Sequence, residues 1–133
     1  MADFPRVFKV RQHFQAVECE DVAGAVESQL AKLNLSEKVK PGDTVAISAG
    51  SRGIANIHTA IRAIVQHIQK LGGEPFVVPA MGSHGGGTAE GQRAIVEGYG
   101  MTEEFLGCPI KATMETHVVC QACLLYTSPS PRD

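Results

Sequence analysis

The chain has 133 residues, 44% of them apolar, which is room for one ordinary domain with a core of its own. Its 12 basic and 14 acidic residues leave a formal net charge of −2 with no basic stripe, which argues against a nucleic-acid partner. No apolar run approaches the ~20 residues needed to span a bilayer, and Met1-Ala2-Asp3-Phe4-Pro5-Arg6 lacks the apolar core of a signal peptide, so a cytoplasmic protein without membrane contact is expected.

Residues 4–14 contain Val7-Phe8-Lys9-Val10-Arg11, a mixture of apolar and basic side chains that suits a strand or an extended arm. Over residues 21–35, Val22, Ala25, Val26, Leu30 and Leu33 fall near helical spacing, with Asp21 as N-cap. Asn34-Leu35-Ser36 is a formal glycosylation sequon but, without a secretory signal, reads as helix-end chemistry. Pro41-Gly42-Asp43 then signals a turn. Thr44-Val45-Ala46-Ile47-Ser48 is short, apolar and partly β-branched, as a buried strand is.

Ala49-Gly50-Ser51-Arg52-Gly53 follows and is expected to turn into a helix, with Ile54, Ile57, Ile61, Ile64, Ile68 and Leu71 along one face. Gly72-Gly73 stops that helix. Pro75-Phe76-Val77-Val78-Pro79 predicts a second buried strand, its prolines near the ends where a missing donor is tolerated. After a turn over residues 81–87, Thr88 can cap a helix running to about Gly98. Thr102-Glu103-Glu104 opens a short helix with its acids at the positive end, and residues 109–113 read as the opening of a third strand.

Strand, helix, strand, helix is the pattern of βαβ units and implies a parallel sheet. The expected class is α/β, a Rossmann-like parallel sheet with helices on both faces. Both glycine-rich loops follow strands, which places them at the carboxyl ends of the sheet, where open α/β folds bind ligands.

Glycine permits close backbone approach to a ligand, and a helix N-terminus favours anions. In the first loop Gly50, Ser51 and Gly53 surround Arg52, whose planar fork suits an oxyanion. In the second, Gly82, Ser83, Gly85 and Gly86 surround His84, an imidazole able to move a proton near neutrality. Neither loop is a G-x-G-x-x-G or Walker A sequence, and neither serine has a nucleophile elbow around it. His58 and His67 lie off the isoleucine face and read as solvated or edge residues; His13 belongs to the arm, and His117 lies close to the end.

Cys120-Gln121-Ala122-Cys123 has the spacing of a redox or zinc motif. The segment Cys123-Leu124-Leu125-Tyr126-Thr127-Ser128-Pro129-Ser130-Pro131-Arg132-Asp133, however, resembles residue for residue the translation of a transposase-type sequencing adapter. That resemblance implies a partial domain over residues 1–122, a non-native tail over 123–133, and a natural continuation beyond Ala122. Cys19, Cys108 and Cys120 then lack metal-ligand spacing and read as buried or half-buried thiols.

Ala49-Gly50-Ser51-Arg52-Gly53-Ile54-Ala55-Asn56, together with the stretch from Pro79-Ala80-Met81-Gly82-Ser83-His84 through Gly85-Gly86-Gly87-Thr88 to Ala89-Glu90-Gly91-Gln92, resembles the N-terminal domain of the lactate-racemase-like family. The likeness covers most of residues 7–119 and is nearest to an uncharacterised branch. It implies an isomerase that uses a nickel-pincer nucleotide to racemise or epimerise a 2-hydroxy acid or related anion. By the same resemblance His84 matches one of two acid/base histidines, and Arg52 matches an arginine that binds anionic substrate or cofactor. Ala49 departs from the family, whose racemases carry an aspartate there, so lactate is not implied. The family's cofactor-tethering lysine, nickel-ligating histidine and second catalytic histidine lie farther along. This chain is therefore expected to hold no metal, to retain no cofactor and to be inactive alone. Two rival readings remain: a non-catalytic nucleotide- or phosphate-binding α/β module, and a structural domain with incidental glycine turns. Oligomeric state is not readable.

Overall fold

The computed structural model describes residues 7–15 and 18–116. Of the expected strand or extended arm over residues 4–14, the described residues 7–15 form no regular structure, and Val7, Phe8, Val10 and Phe14 are exposed.

Helix α1, Val22–Ala31, begins as expected: the Asp21 carboxylate accepts from the Gly24 amide at 2.9 Å and satisfies a free donor of the first turn. It ends four residues before the expected Leu35. Asn34 takes a left-handed conformation (φ 48°), which breaks the helix and starts a single 3-10 turn, Leu35–Glu37. Leu33 therefore lies beyond the helix and is exposed. None of the residues of α1 is buried.

Strands β1, Thr44–Ala49, and β2, Glu74–Pro79, pair in parallel, Ile47 opposite Val77 and Ala49 opposite Pro79. Helix α2, Ile57–Lys70, connects them, giving the βαβ unit that the pattern implied. Ile57, Ile61, Ile64 and Ile68 of its expected apolar face lie in the helix, with Ile61 and Ile68 buried and Ile57 and Ile64 half-buried against the core. Ile54 does not. It precedes the helix and is 64% exposed, because Asn56 (φ 58°) interrupts the backbone before helical geometry begins. Gly72, at φ 85°, ends α2 as expected.

Helix α3, Ala89–Gly98, is capped by Thr88, whose hydroxyl accepts from the Gly91 amide; helix α4, Glu103–Leu106, is capped by Thr102 in the same way through Phe105. Ile47, Ala49 and Val77 share one sheet face with Ile61 and Val65 of α2, Val96 of α3, and Met101 and Leu106. Full burial of side chains of this size contributes roughly 1.5–3 kcal/mol each. The class is α/β with a parallel sheet. The covering helices, expected on both faces, gather over this one among the described residues, while Thr44, Ala46 and Ser48 on the other remain exposed.

The expected third strand is reduced to one parallel bridge, Val77 to Ile110, with hydrogen bonds from the Val77 amide to the Pro109 carbonyl and from the Lys111 amide to the Val77 carbonyl. A side-chain clamp holds this segment instead of a full ladder. Glu103 accepts from the Ile110 amide at 2.7 Å and pairs with Arg93 at 3.3 Å, two contacts that hold its carboxyl below the usual range. Of the cysteines, Cys108 is buried, which pushes its thiol pKa up, whereas Cys19, just before α1, is exposed contrary to expectation because no element covers it. Cys120, His117 and the adapter-like tail lie outside the described residues. No helix among the described residues is long and apolar enough to cross a membrane.

Candidate functional site

The sheet order brings the two loops together. Parallel neighbours end on the same side, so the chain leaving β1 at Gly50 and that leaving β2 at Ala80 emerge side by side. The Ala80 amide donates to the Ala49 carbonyl at 2.7 Å, extending the ladder one step past the strands. Beyond it the side chains meet directly, with His84 Nδ1 at 2.5 Å from Ser51 Oγ. This contact joins the loops into one shelf at the carboxyl end of the sheet.

Helix α3 fixes both loops from below. Gln92 is buried and donates through Nε2 to the carbonyls of Met81 and Gly82, each at 2.9 Å. Tyr99, at the end of the same helix, donates its hydroxyl to the Ser51 carbonyl at 2.9 Å. Gln92, Val96 and Tyr99 follow i, i+4, i+7 spacing, one face of a helix, with the buried Val96 between the two polar anchors. Neither anchor was singled out as a site residue from the sequence. The signal was that spacing: a glutamine and a tyrosine on the face that must turn inward.

The second loop is built by close backbone approach. His84–Gly87 forms a short turn in which Gly85 and Gly86 take left-handed φ values of 64° and 69°. A Cβ on Gly85 would stand 2.3 Å from the Gly91 carbonyl carbon, so the loop rests on α3 through two glycines. Gly50, Gly82 and Gly86, by contrast, have open space where a Cβ would be. Those three positions leave room beside the backbone, whereas Gly85 is required for packing against α3.

Arg52, Gly82, Ser83 and His84 are exposed, and Gly50 and Ser51 half-buried. Among the described residues Arg52 makes no ion pair, so its guanidinium is available to an external anion. One expected contribution is displaced. Residues 54–56 separate Gly53 from the first turn of α2, so the partial positive charge of that helix does not begin at Arg52. At the second loop the helix follows directly after Thr88, though the Thr88 hydroxyl already holds the Gly91 amide and Glu90 places an acid in the first turn.

His58 and His67 have structural surroundings. His58 stacks at an angle against Phe105, ring centres 5.5 Å apart. His67 is not solvated: its side chain is only 12% exposed, and its Nδ1 stands 3.2 Å from Glu27 of α1. Lys70 donates to Glu27 at 3.1 Å and ties α1 to α2; that hydrogen bond first, with His67 close by, holds the Glu27 carboxyl below its usual range. Among the described residues no three His, Cys, Asp or Glu side chains converge as a metal site.

No family model matches the chain, and no curated protein or solved structure does.

The anchors give a direct test of the shelf. Gln92→Leu keeps the volume but removes both donors, leaving the Met81 and Gly82 carbonyls without their buried partner. The expected loss is about 1–3 kcal/mol in urea unfolding, with faster amide exchange confined to residues 81–87. Unchanged stability and exchange would show that Gln92 does not support the loop.

Proposed function

We propose that this chain carries the anion-holding and proton-transferring loops of a cytoplasmic lactate-racemase-like enzyme, whose longer parent racemises or epimerises a 2-hydroxy acid. The observation that supports this most is the contact between Ser51 and His84, because it places an imidazole on the shelf that also bears the unpaired Arg52. An arginine and an imidazole are what a 2-hydroxy acid requires of a protein. The guanidinium fork takes the carboxylate through paired charge-assisted hydrogen bonds. The imidazole takes the hydroxyl proton as the C–H bond at C2 breaks and returns it when that bond is remade.

In such an enzyme a nickel-pincer nucleotide, when bound, supplies the acceptor for the C2 hydride. The residues described here fit the anionic end of a substrate or nucleotide, through Arg52 and the open backbone at Gly50, Gly82 and Gly86. They do not provide a converging ligand set for nickel, so no step is assigned through the metal. The part left to this chain's own residues is the proton, which His84 would take from the substrate hydroxyl and return to the same oxygen while Arg52 holds the carboxylate. Ala49 is fully buried at the end of β1, so its side chain takes no part in holding substrate.

Anion binding is measurable on this chain alone. Titration with a 2-hydroxy acid, followed by amide shifts, is expected to move residues 50–53 and 82–87. Arg52→Ala is expected to weaken that binding about tenfold, the effect of losing a charge-assisted hydrogen bond of about 1.4 kcal/mol. Shifts centred elsewhere, or an affinity indifferent to Arg52, would remove the proposed site.

A further inference from the structure

We propose that Ser51 is the positioning residue for His84: its hydroxyl accepts from Nδ1–H, holds the ring, and leaves Nε2 as the atom that exchanges the proton. This rests on the reading of His84 as the acid/base group.

The contact joins anchored partners. Ser51 is half-buried, and its own carbonyl is held by Tyr99 at 2.9 Å. The backbone leading to His84 is held by Gln92 through the Met81 and Gly82 carbonyls. Both anchors belong to α3 or its end, so one rigid element sets the separation of Ser51 Oγ and His84 Nδ1. An exposed imidazole without such a partner can turn about its ring bond and present either nitrogen. With Nδ1 engaged at 2.5 Å, Nε2 is the nitrogen left for a ligand on the shelf.

The proton inventory favours one direction for this hydrogen bond. A neutral imidazole acting as base at Nε2 carries its proton at Nδ1. That Nδ1–H donates to Ser51 Oγ. When Nε2 takes the hydroxyl proton of the substrate, the ring becomes cationic and Nδ1–H still donates to the same oxygen. The hydrogen bond thus persists through both protonation states without ring movement, which is the condition for proton transfer at fixed geometry. If Ser51 instead donated to Nδ1, the neutral ring would carry its proton at Nε2 and could not act there as the base.

Nitrogen-15 spectroscopy of the His84 ring in this chain tests the assignment without reference to turnover. Nδ1 is expected to carry the proton in the neutral ring, and Ser51→Ala to shift the balance toward Nε2–H. The Tyr99 contact uses the Ser51 carbonyl, so the substitution leaves that anchor in place. An identical tautomer balance in both proteins would overturn the proposal. In the longer parent, Ser51→Ala is expected to lower kcat about 10²-fold, the scale of a misplaced catalytic group, with KM little changed. A raised KM at unchanged kcat would instead make Ser51 an anion contact and overturn it. A tautomer shift together with full activity of a His84→Ala parent would refute the acid/base reading itself, and the assigned role of Nε2 with it.

Discussion

Replacing His84 by alanine in the proposed longer parent enzyme is expected to lower kcat by about 10³-fold or more, within the 10²–10⁴ range of general acid/base contributions, while leaving binding of the proposed 2-hydroxy acid substrate nearly intact. The split follows from the arrangement of the shelf. The substrate's charge is assigned to Arg52, which is exposed and unpaired among the described residues, and its hydroxyl proton to His84 on the adjoining loop. Removal of the imidazole deletes an interaction used as the proton moves, which depresses kcat; removal of Arg52 deletes one present from binding onward, which raises KM. Optical rotation followed over a range of 2-hydroxy acid concentrations would report both quantities. Turnover of His84→Ala within a few-fold of the unmodified enzyme would exclude the histidine from proton transfer. His84 would then be a ligand contact only, whereas absence of turnover in the unmodified parent would favour a non-catalytic nucleotide- or phosphate-binding module.

Gly91→Ala is expected to destabilise the chain by about 2–3 kcal/mol, the upper part of the range for forcing a methyl group into a filled space. A Cβ at this position would stand 1.9 Å from the Gly85 carbonyl oxygen, a backbone atom that cannot swing aside as a side chain can. Either α3 or residues 82–87 must move, and the movement carries His84 away from Ser51. Gly98→Ala supplies the control. It lies in the same helix with open space around the added carbon, so helix propensity alone should stabilise it slightly, by about 0.5 kcal/mol. Opposite signs for the same substitution in one helix, read from urea midpoints, would show that the close approach to Gly85 is the cause. Equal effects at both glycines would show that it is not.

Much of the secondary structure is legible in local chemistry. The short, apolar and partly β-branched run over residues 44–48 marks β1, although one of its faces proves exposed, and Thr88 and Thr102 announce α3 and α4 because a hydroxyl before a helix satisfies a free amide. Where the sequence misleads, one backbone dihedral is responsible. Leu33 and Ile54 continue the apolar spacing of α1 and α2, yet lie outside them because Asn34 and Asn56 take left-handed conformations. Periodicity counts side chains and does not register that interruption. The third strand fails for a different reason: residues 109–113 meet β2 at a single bridge, and the Glu103 clamp replaces the ladder that spacing suggested.

For the loops themselves, sequence alone determined that two glycine-rich turns, one with Arg52 and one with His84, follow consecutive parallel strands. That much is settled by strand polarity, since parallel neighbours must end on the same side. Only the tertiary structure decided that Ser51 is the residue meeting His84, that Gln92 and Tyr99 hold the two loops from one helix, and that Gly85 packs while Gly50, Gly82 and Gly86 stay open. Those facts depend on distances between residues 6 to 48 positions apart, which the rotation of α3 against the sheet sets and no periodicity encodes.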